Sequence, residues 1–473
     1  MFRGLLLLWV CALPIWAQTA QPDTLRFELD LRKPIAEGWL DPKAERVGLR
    51  GDYLPLTWNA DFFAEDPDGD GWYVAQVPIT APKGTRLLYK IHVSGFGNPN
   101  EGWEDGRNHH VIISGGKQVI RRAFGDTPAP VPPSFTGRIV QHEGFPSKYL
   151  EKRDLFVYLP PDYDRNPHRH YPVLYLQDGR NNFDASIIDQ EWGMDEAADS
   201  LIRRHRINPV IMVGVNNTDS RIYEYTPDAP VVERIRLVRQ GGLGAVDNAT
   251  DWTGTYTGFS MDMTVSVRMQ NGQPEVRFGG NILWRALREN ADGELEEPVT
   301  GLRLRAERNA EGRIEAITCR HLQIGGGGEY YGRMLVEEIK PFIDRTYRTK
   351  KDARNTAVGG SSLGGLISME LGLQYPNIFG SLLVVSPSVW WNNRSLLERV
   401  KKLPKATTQR IWLDMGTLEG DVMLRDARAL AEILQQKGWT GDHFRFTVAE
   451  KAQHSERDWA KRTPDMLLFL YGK

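Results

Sequence analysis

The chain changes its hydrophobic rhythm three times. Between about 24 and 120, apolar and polar positions alternate in runs such as Leu25-Arg-Phe-Glu-Leu-Asp-Leu31 and Arg86-Leu-Leu-Tyr-Lys-Ile-His-Val93, separated by turn clusters. Runs of this length with period two predict half-buried strands, and their spacing predicts an Ig-like β-sandwich. The stretch Asp126-Thr-Pro-Ala-Pro-Val-Pro-Pro-Ser134 then marks a semi-rigid linker over 126–135.

From about 136 to 473 the apolar runs are nearly unbroken. Asp154-Leu-Phe-Val-Tyr-Leu159, Tyr171-Pro-Val-Leu-Tyr-Leu176, Pro209-Val-Ile-Met-Val-Gly-Val215 and Ser381-Leu-Leu-Val-Val385 read as strands buried on both faces. Further strands are predicted over 410–414 and 444–448. Helical periodicity marks 195–204, 330–347 and a terminal helix from about Glu456. Such alternation predicts an α/β unit, a mostly parallel sheet with helices on both faces. It is interrupted over 235–322, where Met261-Asp-Met-Thr-Val-Ser-Val-Arg268, Glu275-Val-Arg-Phe278 and Leu302-Arg-Leu-Arg-Ala306 alternate again, with Asn271-Gly and Asp292-Gly as hairpin signals. This segment reads as a small antiparallel β insertion.

Composition narrows the class. At 473 residues the chain has room for two to four domains. Fifty-nine basic residues against 61 acidic ones leave a formal charge of −2, with no basic excess for nucleic acid. Met1-Phe-Arg3 and the apolar run that follows read as a signal peptide over 1–17, too short to span a membrane, so the protein is expected in the periplasm or secreted. Of two cysteines, Cys11 would leave with the signal, and Cys319 alone cannot form an internal disulfide.

Candidate chemistry centres on Gly359-Gly-Ser-Ser-Leu-Gly-Gly365, which contains G-x-S-x-G between a strand-like and a helix-like segment. That context puts the Ser362 hydroxyl on a sharp turn at a strand end, as a nucleophile needs, and its neighbours must be small to avoid the turn. A serine hydroxyl requires a base. In the chain order serine, acid, histidine, the acid follows a strand beyond the nucleophile, and Glu419 or Asp421 fits, with Glu419 favoured. Of ten histidines, only His454 lies between the last strand and the terminal helix. The oxyanion is expected to meet the N–H of Leu363 and that of Arg180, with Asn181 as the alternative, from the loop Gln177-Asp-Gly-Arg-Asn181. The Arg180 side chain offers a partner for an anionic substrate group.

The motifs LYLQDGRNNFD, EWGMDEAADSLI, VGVNNTDSRIYEYTP, VEEIKPFIDRTYRT, GGSSLGG, SPSVWWNN, GTLEGD and QHSERDWAKR together resemble the esterase D family of α/β-hydrolases, over about 136–230 and 325–473. That family includes enterochelin-type siderophore esterases, feruloyl and acetyl xylan esterases, S-formylglutathione hydrolases and mycolyltransferases. SPSVWWNN looks most like the siderophore branch, and the insertion departs from the usual pattern. The resemblance implies an ester hydrolase working through an acyl-enzyme without metal or organic cofactor. An acyltransferase of the same family and a non-catalytic polysaccharide-binding protein are the rival readings.

Trp390 and Trp391 follow a predicted strand end, and one of them, with Trp391 favoured, is expected to wall the substrate pocket. In the first unit, GDYLPLTW, DPDGDGWY and GWEDGRN resemble starch- and glycogen-binding modules. The resemblance implies sugar platforms at Trp58 and Trp103, with Lys90 and Asn108 beside them. The expected partners are a small-molecule or carbohydrate ester and a polysaccharide. Asp66, Asp68 and Asp70 match the opening of a calcium loop, but Val77 stands where a bidentate Glu is needed, so the run reads as a hairpin turn without metal.

Overall fold

A computed structural model of the chain describes residues 23–37, 40–58, 60–94, 102–104, 107–126, 128, 131–218, 220–228, 230–239, 252–258, 263–278, 284–298, 301–309, 312–323, 325–403 and 408–473. The expected signal peptide, 1–17 with Cys11, lies outside them.

The apolar runs of the larger unit pair into one eight-stranded sheet. From one edge its order is Phe444–Ala449, Arg410–Gly416, Ser381–Val385, Thr356–Ser361, Val173–Leu176, Ile211–Val215, Arg153–Leu159 and Arg138–Phe145. The first six are parallel, and Arg153–Leu159 runs antiparallel to both its neighbours. This is an α/β-hydrolase-type fold. Both faces of the sheet are covered, which is why its strands lack a polar side. Leu155, Val157 and Leu159 enter one core, with Leu366, Ile367 and Met369 of helix Leu363–Gln374. Phe156 and Tyr158 enter the other, with Met194, Ala198 and Ile202 of helix Met194–Arg203 and Met466, Leu467 and Leu470 of helix Thr463–Tyr471. Each such side chain contributes roughly 1.5–3 kcal/mol by leaving water.

The parallel arrangement gathers the candidate chemistry at one end. Asp178, Ser362, Ser388, Glu419 and His454 all follow the carboxyl ends of strands, where open α/β sheets bind ligands. A cavity of about 370 Å³ lined by His170, Lys350, Arg354 and Arg410 sits at the opposite end, where those strands begin.

The interrupting segment forms a nine-stranded antiparallel sheet. It starts at strand Val231–Arg239 and ends at strand Ile314–Gln323. One short stretch supplies both edges: Arg285–Ala286 and Arg288–Glu289 flank Leu287. The sheet curls round its own core of Leu237, Tyr256, Val265, Val267, Leu287, Leu304 and Cys319. Burial there pushes the Cys319 thiol up, away from the reactive thiolate. Asn271 and Gly272, at φ 53° and 79°, make the two-residue turn between Met263–Gln270 and Gln273–Phe278.

The first unit packs a three-stranded and a four-stranded sheet around one core that includes Phe27, Leu49, Val77, Leu87 and Ile91. It docks beside the loop that carries His454. Asp52 pairs with Arg457 at 2.7 Å, Asp189 takes Arg107 at 2.8 Å and Arg86 at 3.4 Å, and the Asn108 amide donates to the Ile188 carbonyl at 3.0 Å. Burial raises the Asp52 carboxyl to about 6, although Arg457 and the Leu88 N–H pull it down and Asp458 adds a smaller push upward.

That raised value sets a pH dependence. The folded state holds the Asp52 proton up to about pH 6, whereas an ordinary aspartate releases it near 3.8. This group's contribution is therefore fully present below pH 3.8 and is lost as pH rises through 6. Arg457→Ala strands the buried carboxylate once it ionises, at a cost of about 3–5 kcal/mol. We expect the melting-temperature gap between wild type and Arg457→Ala to be small at pH 5 and to widen by pH 8, measured by thermal unfolding at both values.

Candidate active site

Ser362 sits between strand Thr356–Ser361 and helix Leu363–Gln374 at φ 58°, ψ −122°. A non-glycine residue here carries strain of about 1–3 kcal/mol, which the surroundings must enforce. They do so through the neighbouring strand end: Ser362 N–H donates to the Val385 carbonyl at 3.0 Å, and Ser388 N–H donates to the Ser362 carbonyl at 3.0 Å. The flanking glycines are sterically required. A Cβ on Gly360 would lie 2.8 Å from Gln177 Cβ, and one on Gly364 would lie 3.0 Å from the same atom. The Ser388 hydroxyl stands 3.4 Å from that of Ser362. Leu363 opens the helix, so its N–H has no acceptor within the helix and points with the positive end of the helix dipole.

His454 and Glu419 meet across 35 residues of sequence. Nδ1 of His454 lies 2.7 Å from Oε2 of Glu419, whose side chain is fully buried. The other oxygen, Oε1, accepts from Ser386 Oγ and from Gly416 N–H, both at 2.7 Å. Ser386 Oγ in turn accepts from Trp459 Nε1 at 2.9 Å, and the His454 ring stands edge-on to Trp459 at 5.0 Å. Beneath lies Asp414, paired with Arg462 at 3.1 Å and with Trp412 Nε1 at 2.8 Å. Every polar atom around Glu419 is thus held by another, which locks the carboxylate toward the imidazole. Asp421, the other candidate acid, is exposed at the first turn of helix Asp421–Lys437. It suits the helix dipole and has no part in this network. His109 is buried on Glu104 in the first unit, and His443 precedes the last strand.

The loop after Val173–Leu176 differs from expectation. The Arg180 N–H donates to Asn216 Oδ1 at 2.8 Å, and the Asn181 N–H donates to the Asp178 carbonyl at 3.1 Å. Neither is open toward an oxyanion. The Arg180 guanidinium is also engaged, on Asp184 at 2.5 Å and Ser186 at 2.9 Å, so it is no anchor for an anionic substrate. The charge beside the elbow comes instead from Arg221. It holds Asp178 in a two-point pair at 2.6 and 2.9 Å, while Tyr225 accepts the Asp178 N–H at 3.0 Å. Burial raises the Glu456 carboxyl, and His454, Asp178 and Arg221 all lie close enough to act on its charge. Arg221, Asn216 and Ser388 were missed in the sequence, although each lies in a quoted motif.

The tryptophan pair resolves opposite to the favoured reading. Trp391 is in the core, 7% exposed, with its Nε1 on the Asp228 carbonyl at 3.1 Å. Trp390 is the exposed one, at 46%, two residues from Ser388. In the first unit, Trp58 and Trp103 are half-buried with ring centroids 6.3 Å apart, and Arg50 covers the Trp103 ring. Lys90 donates to the Glu104 carbonyl at 3.1 Å. The Asn108 amide expected to meet sugar belongs to the contact between the units. Asp66 accepts the N–H groups of Gly69, Asp70 and Gly71, and Asp70 accepts that of Trp72, which builds the turn from these carboxylates.

A family model described as "Putative esterase" matches residues 147–238 and 309–470, more than half of the chain. The chain belongs to this esterase family. The gap between the matched parts falls within the curled β insertion, so this member carries the family's sheet with an added unit. The uncharacterized protein YbbA of Bacillus subtilis (strain 168) is 28% identical over 165 residues, 33% of this chain and 66% of YbbA. The ferri-bacillibactin esterase BesA of the same organism is 29% identical over 199 residues, 39% of this chain and 67% of BesA. The chain spans about a quarter to two thirds of the length of the curated relatives it matches. Among solved structures, the enterobactin esterase FES from Shigella flexneri in the presence of enterobactin is 14% identical with a TM-score of 0.47, covering 90% of this chain and 88% of that one.

Proposed function

We propose that this protein is an exported serine carboxylesterase that cleaves siderophore-type esters through an acyl-enzyme. The observation that carries the reading is the 2.7 Å contact of His454 Nδ1 with the fully buried Glu419, made at the same sheet edge as the strained Ser362. With Nδ1–H held by Glu419, His454 presents Nε2 as the base. It takes the Ser362 proton as Oγ attacks the ester carbonyl. The Leu363 N–H stabilises the oxyanion, and Arg180 N–H joins it only by releasing Asn216. The imidazolium then protonates the leaving alcohol, and a water, deprotonated by the same histidine, frees the acyl group. Glu419 keeps the imidazolium paired throughout.

Two relatives support the substrate class by their names, the ferri-bacillibactin esterase of Bacillus subtilis and the siderophore enterobactin esterase of Emericella nidulans. Exposed Trp390 offers a flat face for an aromatic acyl group beside Ser388. The test compares initial rates on a catecholate triester, a feruloylated sugar and acetylated xylan. The expected result is a kcat/KM for the triester at least tenfold above the others. Equal or preferred cleavage of the polysaccharide ester would overturn the substrate class, and no cleavage of any ester would overturn the enzyme.

A further inference from the structure

Helix Met194–Arg203 begins among three carboxylates. Glu191, Asp195 and Glu196 each bring an oxygen within 4.8 Å of the others. Asp195 is 0% exposed, and Glu191 and Glu196 are half-buried. One oxygen of each is already held. Ser134 Oγ donates to Glu191 Oε1 at 2.9 Å, Thr136 N–H to Asp195 Oδ2 at 2.6 Å, and Thr136 Oγ1 to Glu196 Oε1 at 2.7 Å. The second oxygen of each, Glu191 Oε2, Asp195 Oδ1 and Glu196 Oε2, is buried without an N–H or hydroxyl donor, and the Asp195 and Glu196 carboxyls lie within hydrogen-bonding reach of each other. No Lys or Arg among the described residues forms an ion pair with the three.

Three carboxylates this close together repel one another when ionised, and a positive centre among them would relieve both that repulsion and the burial of their unpaired oxygens. The donor set is all oxygen, which selects a hard cation over zinc or copper. Ligands about 2.4 Å from a calcium ion lie at most about 4.8 Å apart, a limit that one oxygen from each of the three residues meets. Ser134 and Thr136 aim the carboxylates from outside, as supporting partners do at metal sites.

We propose that Glu191, Asp195 and Glu196 form a structural calcium site. Its position explains its use. Ser134 lies at the end of the proline linker and Thr136 directly follows it, and Ile188, Asp189 and Gln190 hold the first unit and Arg457. One ion here fastens the linker and the docking segment to the esterase sheet. The site is independent of the catalytic reading.

The test uses the full chain, stripped with EDTA and titrated with calcium chloride. Melting temperature is followed alongside terbium emission sensitised through buried Trp192, the residue next to Glu191. Calcium should raise the melting temperature by about 3 °C or more. Terbium should emit and be displaced by calcium. Glu191→Gln and Glu196→Gln should each lose both responses, and Asp68→Asn, in the acidic turn of the first unit, should keep them. Asp195→Asn should lose both responses too, and should it fail to fold, the two glutamine variants decide alone. An unchanged melting temperature without terbium emission overturns the site. So does an equal response to magnesium at the same concentration, or a response that survives Glu191→Gln and disappears in Asp68→Asn.

Discussion

Replacing Ser362 with alanine is expected to abolish hydrolysis of p-nitrophenyl esters, with kcat falling by about 10⁵–10⁶-fold. The loss is this large because Ser362, His454 and Glu419 act as one unit, so removing the attacking oxygen leaves the others nothing to activate. The fold should survive. The Ser362 hydroxyl makes one weak contact, 3.4 Å to Ser388, and alanine keeps the backbone bonds to Val385 and from Ser388. A melting temperature within about 2 °C of wild type is expected, because the change removes no buried apolar volume and no strong hydrogen bond. Undiminished turnover in the variant would remove Ser362 from the chemistry altogether.

Glu419→Gln should lower kcat by about 10³–10⁴-fold while leaving KM within a few-fold. Glutamine has nearly the same shape, but its amide cannot balance the imidazolium. Turned toward His454 Nδ1, it donates where the carboxylate accepted and holds the ring in the wrong tautomer. The buried network sharpens the expectation. Ser386 Oγ and Gly416 N–H both need an acceptor at Oε1, so the glutamine must keep its oxygen there and present its NH₂ to His454. Asp421→Asn, at an exposed helix start, should change kcat less than twofold. Steady-state kinetics on the pair separates the candidates, and a larger loss from Asp421→Asn would reverse the assignment. The double variant Ser362→Ala/Glu419→Gln should be no slower than Ser362→Ala alone, since an orienting carboxylate has no function without the nucleophile.

Much of the larger unit was legible because its strands are buried on both faces. The run 381–385 coincides with strand Ser381–Val385, and the run 410–414 lies within strand Arg410–Gly416. The segment expected over 330–347 is one helical run from Gly328 to Thr346, but its middle, Met334–Ile339, widens into a π-turn that no periodicity announces. Strand Arg138–Phe145 at the sheet edge escaped notice because much of it is exposed and its apolar signal is weak.

What failed was side-chain direction. Trp390 and Trp391 are neighbours of identical chemistry, and their burial is decided where the helix start breaks over Asn392, Asn393 and Arg394, all at positive φ. Arg180 looked available because its loop position was right. Its N–H was claimed by Asn216, just past the end of strand Ile211–Val215, and its guanidinium by Asp184.

The sequence by itself determined the order of the doubly buried strands, the strained serine between its glycines, and the positions of two candidate acids and one histidine beyond later strands. These follow from local requirements: period, turn sterics and the direction of parallel strands. Only the tertiary structure decided that Glu419 and not Asp421 reaches His454, that the first unit leans on the histidine loop through Asp52 and Arg457, and that Glu191, Asp195 and Glu196 converge. Those outcomes depend on contacts between residues far apart in the chain, where burial decides which polar atom finds a partner and which is left waiting for one.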